Sequence, residues 1–462
     1  MTDKQFAPLT RRAVLRLAAI WLPLAALAAC GGGAASTATP TAATAAAPST
    51  AASTAPSAAA SGGATATRAS GAASPATMPA TSASAAAPRP SSTPATSGTP
   101  RPSTAASPAV AASPTSAAQP DLVKFRVEEV ATGLDTPWEM AFAPDGRIFV
   151  TERPGRLRVI ENGKLRAEPV ATVPDVTETG EGGLLGMVLA PDFATSGNLY
   201  FYHTYNNSGI KNRVVRYTLT DRAAARGLGA QQIIFDNIPG ASTHDGGRLA
   251  VGPDGKLYFT CGDAANRDLA QDRNALAGKI HRLELDGAIP ADNPFPGSSV
   301  YTYGHRNPEG LAWQPGTNQL YATEHGNSAN DEVNRIVAGS NYGWPEIQGT
   351  QTGAGMVTPI VTSGASTTWA PSGATFVRAD TFPQLRGSLL FAGLRGATLW
   401  KLDIDTRQLT PLLGDQYGNG YGRLRAVREG PDGNLYVLTS NQDGRGSPTA
   451  TDDRLLRLVP DR

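Results

Sequence analysis

Five polar, glycine-rich segments hold the residues of this 462-residue chain that could do chemistry. In Ser242-Thr243-His244-Asp245-Gly246-Gly247-Arg248 a histidine sits among glycines, and Gly262-Asp263 follows in the next polar stretch. An imidazole accepts a proton at one nitrogen when its other nitrogen is held in a fixed tautomer, which a carboxylate such as Asp263 can do. A histidine in such a turn is equally at home as a structural or solvated group, so the pair alone leaves both readings open. Tyr303-Gly304-His305-Arg306-Asn307-Pro308-Glu309-Gly310-Leu311 sets a guanidinium fork beside an amide, an offer suited to carboxylates or quinone oxygens. Adjacent strand positions face opposite ways, so Arg306 and Asn307 can meet one ligand only from a loop entering at Pro308. In Gly422-Arg423-Leu424-Arg425 two arginines two apart share a strand face, where like charges repel unless an anion lies between them. A solvated strand face is the plain alternative; Arg395, after the apolar run 389–392, is a candidate third cation. The run from Glu324-His325-Gly326-Asn327 through Asn330-Asp331-Glu332-Val333-Asn334 to Asn341-Tyr342-Gly343-Trp344-Pro345 is dense in oxygen ligands. Such a loop suits a hard cation such as Ca²⁺, or simply forms side-chain-capped turns; it lacks the alternation of an EF-hand. Gly180-Glu181-Gly182-Gly183-Leu184-Leu185-Gly186 lets backbone approach a ligand closely, or makes a tight turn with a solvated Glu181.

What positions these segments is a phrase that recurs between them. Asp145-Gly146-Arg147-Ile148-Phe149-Val150 returns as Asp254-Gly255-Lys256-Leu257-Tyr258-Phe259 and as Asp432-Gly433-Asn434-Leu435-Tyr436-Val437. Weaker copies start at Gly197, Asn318 and Gly387. Each is a tight turn feeding a strand of β-branched, aliphatic and aromatic residues. Six copies about 45–70 residues apart fit an all-β, six-bladed β-propeller with loop insertions. Blades stacked radially share one core around a channel, and polar residues gathered at one channel mouth are then the functional site.

The chain changes character near Gln119-Pro120. Residues 31–120 are almost wholly Ala, Ser, Thr, Pro and Gly, with no hydrophobic period and almost no charge, and cannot offset their ordering entropy by burial. They are expected to form a disordered tether. Residues 1–30 read as an export segment: Thr10-Arg11-Arg12 precedes an apolar run from Leu17 to Ala29, too short for a comfortable membrane span. The ending Leu27-Ala28-Ala29-Cys30 resembles a bacterial lipoprotein signal, which implies a lipid anchor at Cys30 and a domain on the extracytoplasmic face of the membrane. Residues 121–462 form the propeller. Beyond Cys30 only Cys261 remains, so this domain has no intrachain disulfide and depends on its core, with metals as further support. A net charge of +1 without basic runs argues against nucleic acid as partner. The phosphate-binding loop, the zinc-protease His-Glu-x-x-His, the serine-hydrolase elbow and the dinucleotide fingerprint are all missing from the sequence.

Read in order, Gly182-Gly183-Leu184-Leu185-Gly186, His244-x-x-Gly247-Arg248-Leu249, Gly304-x-Arg306-Asn307-Pro308-x-Gly310, Asp331-Glu332-x-Asn334, Asn341-Tyr342-Gly343-Trp344-Pro345 and Arg423-x-Arg425 carry a resemblance. From Ala131 to Pro460 the chain resembles the soluble pyrroloquinoline-quinone (PQQ)-dependent sugar dehydrogenases of the glucose/sorbosone dehydrogenase superfamily, and within it the aldose sugar dehydrogenases. The resemblance implies PQQ and Ca²⁺ as cofactors, aldose sugars as substrates, and a quinone or cytochrome as electron acceptor. It implies His244 as general base with Asp263 orienting it, and Arg306, Asn307, Arg395, Arg423 and Arg425 as cofactor ligands. Glu181 and Asp268 would face the sugar. Carbonyls of Gly326 and Asn327 would hold a catalytic Ca²⁺, and Glu332, Tyr342 and Asp331 a structural one. Glu181, Glu309, Thr243 and Arg395 depart from the glucose-preferring pattern, which bears on substrate preference more than on chemistry. The alternative function is a lipid-anchored propeller that binds glycans or proteins without catalysis. A lactonase-type hydrolase fits less well, because it needs carboxylates rather than arginines at its centre.

Overall fold

The computed structural model describes residues 123–414 and 420–461. The export segment and tether expected over 1–30 and 31–120 lie outside the described residues. Within them are six antiparallel sheets of four or five strands, five of them built from consecutive chain. The first sheet is Pro137–Phe142, Ile148–Glu152 and Arg156–Glu161 with two short outer strands; the second starts at Leu184–Leu189 and continues with Asn198–Asn206 and Ile210–Asp221. The third runs Leu249–Val251, Leu257–Cys261, Lys279–Leu283, Val300–Tyr303, and the fourth Pro308–Trp313, Leu320–Glu324, Glu332–Ile336, Val361–Thr362. The fifth is Pro371–Phe376, Leu389–Gly393, Thr398–Leu402, Leu409–Gly414. The sixth joins Leu424–Glu429, Leu435–Thr439 and Leu455–Pro460 to the first strand of the domain, Phe125–Ala131. That last pairing, from Phe125 opposite Pro460 to Ala131 opposite Leu455, makes the sixth sheet from both ends of the domain. The expected six-bladed propeller is what the chain forms.

The recurring phrase lies at the same place in every blade, the turn into the second strand. Gly146, Gly255 and Gly433 take φ of +87°, +74° and +75°, which their lack of a Cβ allows. The preceding aspartates accept hydrogen bonds from the amides two residues on, at 3.1–3.2 Å. Second strands are buried along almost their whole length, because neighbouring blades cover both faces, and so they read as continuous apolar runs rather than alternations. Six hydrophobic clusters result, one between each pair of adjacent blades, the last joining the sixth blade to the first.

First strands face the axis. At one end their last residues ring an apolar cavity of about 370 Å³. Midway the axis is filled by ions: Arg248 donates to Glu139 and to the Glu309 carbonyl, and Arg428 holds Glu139 from the other side at 2.6 Å. Arg248 and Glu139 are wholly buried. At the other end the segments entering each first strand meet the segments linking second to third strands, and there the chemistry-bearing residues collect.

Candidate active site

His244 lies in the segment entering the third blade, with φ of +65°, a left-handed conformation uncommon outside glycine. Three contacts hold it there. Its amide donates to Glu181 Oε2 at 2.8 Å, its carbonyl accepts from the Ala264 amide at 3.2 Å, and its Nδ1 meets Asp263 Oδ1 at 2.7 Å. Asp263 is buried just past the second strand of the same blade. Gly262 before it has no alternative: a Cβ there would lie 1.9 Å from the His244 carbonyl oxygen. The Asp263 carboxylate also accepts from the Ala265 amide at 2.9 Å and from Trp344 Nε1 at 2.8 Å. An acceptor-only carboxylate on Nδ1 puts the ring proton there and leaves Nε2 with a free lone pair.

The imidazole opens on a cavity of about 310 Å³ lined by five arginines: Arg306, Arg395, Arg423, Arg425 and Arg445. They come from the entry to the fourth blade, the fifth blade and the sixth. Three have carboxylate partners: Arg423 on Asp443 at 2.7 Å, Arg425 on Glu309 at 2.7 Å, and Arg445 on Glu181 at 2.5 Å. Asp443 also stands 3.8 Å from Arg425, so the anion required between the two neighbouring arginines is supplied by the chain itself. Arg395 is exposed and has no ion-pair partner among the described residues. Arg306 spans Trp344 at 5.4 Å from the ring centre, and its side chain donates to the His325 carbonyl. The buried Nε atoms of Arg306 and Arg425 have no hydrogen-bond partner among the described residues, and Nε2 of His325 has only Glu309 Oε1 at 3.7 Å. A buried polar atom left unpaired costs about 1–3 kcal/mol, so these two nitrogens are a polar demand beside the cavity that the described residues leave unmet.

Electrostatics follow from this crowding. Burial would raise the Glu181 carboxyl, but the His244 amide, His325 and Arg445 outweigh it and bring it down to about 2. Glu309, wholly buried, is likewise held below its ordinary range by His325 and Arg425 against its desolvation. Burial lowers Arg306, with Asp263, Glu181 and Glu324 opposing. Asp245, next to the imidazole, is pushed up to about 6 by burial, and its Oδ2 has no partner.

Most residues singled out from the sequence meet here. His244, Glu181, Arg306, Arg395, Arg423, Arg425, Gly326, Asn327 and Asp331 line the cavity, with Asp263 directly behind the imidazole. Asn307 does not: it is fully buried, accepting from the Gly246 amide at 2.9 Å and donating to Glu309 at 3.2 Å, so it props the turn under His244. Asp268 lies exposed on the short turn Arg267–Ala270, outside the cavity lining. The Asp331 carboxylate is occupied by the amides of Gly326, Trp369 and Ala370 and the Thr368 hydroxyl, which makes it a brace between loops. Glu332 and Tyr342 border a separate void of about 10 Å³ with Glu324, Gly326 and Asn330. Burial, then the nearby Glu324, pushes Glu332 up to about 8. Among the described residues no three His, Cys, Asp or Glu side chains cluster as a metal set, so a cation here would depend on backbone carbonyls as well. Arg445, Asp443 and the Trp344 indole were not singled out in the sequence. The first two sit in the second-to-third-strand link of the last blade, the same slot that holds Asp263 in the third, and the blade repeat points to that slot.

A six-bladed propeller with an oriented imidazole facing a ring of guanidinium groups defines a class of oxidoreductase. The chain belongs to the Glucose / Sorbosone dehydrogenase family, whose model matches residues 134–457. It is 36% identical over 345 residues to the aldose sugar dehydrogenase of Escherichia coli, covering 69% of this chain and 91% of that protein. Quinoprotein glucose dehydrogenase B of Acinetobacter calcoaceticus is 33% identical over 255 residues, 49% of this chain and 53% of that one. Among solved structures, the PQQ-bound aldose sugar dehydrogenase of Streptomyces coelicolor superposes with a TM-score of 0.66 at 38% identity, covering 73% of this chain and 99% of that chain. The family resemblance drawn from the sequence segments stands.

Proposed function

We propose that this protein is a PQQ-dependent dehydrogenase that oxidises aldose sugars at the anomeric carbon to lactones. One observation carries the reading: five guanidinium groups from three blades share one cavity with the Nε2 face of an imidazole locked by Asp263. The donor set suits PQQ, a small planar guest with several carboxylates, and the unpaired nitrogens of Arg306 and Arg425 have nothing else to bind. Arg423, Arg425 and Arg395 would hold its carboxylates, and Arg306 its quinone oxygens. When bound, PQQ supplies the two-electron acceptor for the anomeric hydrogen and its bonding pair. His244 Nε2 takes the proton from the anomeric hydroxyl, and Asp263 stabilises the imidazolium that forms. Glu181 holds the His244 amide and, with Arg445, borders the space a sugar enters.

Ca²⁺ is part of the same proposal. Carbonyls of Gly326 and Asn327 beside the cavity are hard oxygen donors, and the carboxylates of buried Glu324 and half-buried Glu332 with the Tyr342 carbonyl form a second set. Asp331, saturated by other donors, is excluded from that second set. We also propose export and lipid attachment at Cys30, supported by the sequence pattern of residues 1–30; a Cys30→Ser chain should then leave the membrane fraction, and retention there contradicts the anchor.

The deciding experiment titrates the purified protein with PQQ and Ca²⁺ while following quinone absorbance and dye-linked oxidation across a panel of aldoses. Saturable binding with matching activity is expected, and His244→Gln should bind the cofactor yet lose turnover. An absence of both binding and activity overturns the reading.

A further inference from the structure

We propose that Trp344 is a positioning residue for this chemistry, tying the imidazole's carboxylate to the cofactor-facing Arg306. The inference rests on His244 acting as the base. Asp263 has two oxygens with different duties. Oδ1 faces His244 Nδ1 and the Ala265 amide; Oδ2 receives one side-chain donor, the Trp344 indole N–H at 2.8 Å. Trp344 and Asp263 are both buried, at 7% and 1% exposure, so water cannot readily stand in for that donor. The same indole presents its faces to two guanidinium groups, Arg306 at 5.4 Å and Arg267 at 5.1 Å from the ring centre. Tryptophan alone among the aromatic side chains offers a strong cation-binding face and an N–H at its edge.

The residue is itself held from several sides. Its amide donates to the Gly304 carbonyl at 2.9 Å, and its carbonyl accepts from Gln271 at 2.7 Å. Gln271 in turn pairs with the Asn341 amide in both directions, at 3.1 and 2.8 Å. A side chain anchored this firmly fixes the plane of the Asp263 carboxylate, and that plane selects which nitrogen of His244 carries the proton. Without the indole N–H, Oδ2 has no side-chain donor. The carboxylate is then held on one side only, by the Ala265 amide, and can turn about that bond, so the imidazole can populate the tautomer with its proton on Nε2, where it cannot accept one.

The test replaces Trp344 by Phe in the full chain, keeping an aromatic face and removing the N–H. Loss of an outer partner of this kind lowers activity about tenfold or more, so kcat should fall by about that factor with the aldose KM changed less than about twofold. Imidazole ¹⁵N spectra of the cofactor-free protein, with His244 assigned through His244→Gln, should show the Nε2–H tautomer rising in Trp344→Phe. Unchanged tautomer populations overturn the proposal, as does a kcat restored fully by excess cofactor. If Trp344→Phe does not fold, the wild-type indole proton decides. It should exchange slowly and shift on Asp263→Ala; rapid exchange with no shift overturns the proposal. The tautomer measurement needs no cofactor, so it judges the positioning role separately from the dehydrogenase reading itself.

Discussion

Replacing Asp263 by Asn probes the site at its narrowest point. Every group around the carboxylate donates: His244 Nδ1, the Ala265 amide and the Trp344 indole. An asparagine must turn its NH₂ toward one side. Turned to Trp344, it sets two donors 2.8 Å apart in a buried position, where no acceptor relieves them. Turned the other way, its oxygen satisfies Trp344 while the NH₂ faces His244 and the Ala265 amide. The imidazole then answers by carrying its proton on Nε2, and its accepting nitrogen is turned from the sugar to the asparagine. Both arrangements keep the shape: the first leaves Nε2 free but gives the imidazolium no carboxylate to stabilise it, and the second removes the base. A wrong tautomer enforced in this way costs about 10⁴ in kcat where it has been measured in hydrolytic triads, about 5.4 kcal/mol of barrier. The assay is dye-linked turnover at saturating PQQ and aldose, with cofactor affinity measured separately. Affinity should change little, because Asp263 stands behind the imidazole rather than among the guanidinium groups. A variant that retains more than about a tenth of wild-type kcat refutes the argument that this carboxylate sets the tautomer.

Three other perturbations follow from the same structure. Arg423→Ala and Arg425→Ala should each weaken PQQ binding by about 10–100-fold, the value of one charge-assisted contact, with kcat at saturating cofactor within about threefold; normal affinity with collapsed turnover contradicts the assignment. Glu181, held down at about 2 against an ordinary 4.5, contributes stability that is complete above the unfolded value and disappears as pH falls from about 5 toward 2. Its ceiling is about 3 kcal/mol, and urea titrations at pH 6 and pH 3 should show a larger loss in wild type than in Glu181→Gln; equal losses contradict the stabilisation of the Glu181 carboxylate by the His244 amide, His325 and Arg445. Arg248→Met strips a wholly buried ion pair in the axis of one partner and should cost about 3–5 kcal/mol in urea unfolding, with a loss below about 1 kcal/mol showing that the axial ions are not a strut.

Much of this architecture was legible in the sequence because blades repeat. A turn such as Asp254-Gly255 must recur wherever a second strand begins, and a strand covered on both faces must be apolar throughout, so phrase and spacing together give blade number. The polar segments were legible for the complementary reason: Gly262 and its neighbours are tolerated only where backbone must pass within contact distance of another loop. What the sequence could not supply was pairing across the mouth. Nothing in Asp443-Gly444-Arg445 announces that Asp443 will sit between Arg423 and Arg425, or that Arg445 will reach Glu181, 264 residues away. Asn307 and Asp331 show why a role could not be read from type alone. A short polar side chain in a glycine-rich loop offers the same atoms whether it serves a ligand or a backbone amide, and burial assigned both to the backbone.

The ions explain why the site occupies one end of the channel only. Arg248 contacts Glu139 of the first blade and the Glu309 carbonyl of the fourth, and Arg428 of the sixth closes on the same Glu139. Glu309 faces both ways, its carbonyl to Arg248 in the axis and its side chain to Arg425 in the cavity. The floor of the arginine-lined cavity is thus a lattice of opposite charges shared by the first, third, fourth and sixth blades, and it closes off the apolar ring at the far end. A guest carrying several negative charges meets guanidinium groups whose opposite sides are already fixed by Asp443, Glu309 and Glu181. Those three positions are set before it arrives, so binding need not order three of the five long side chains at the entropy cost that free arginines impose. The acidic partners that seem to weaken the site's attraction for an anion are therefore what give it shape.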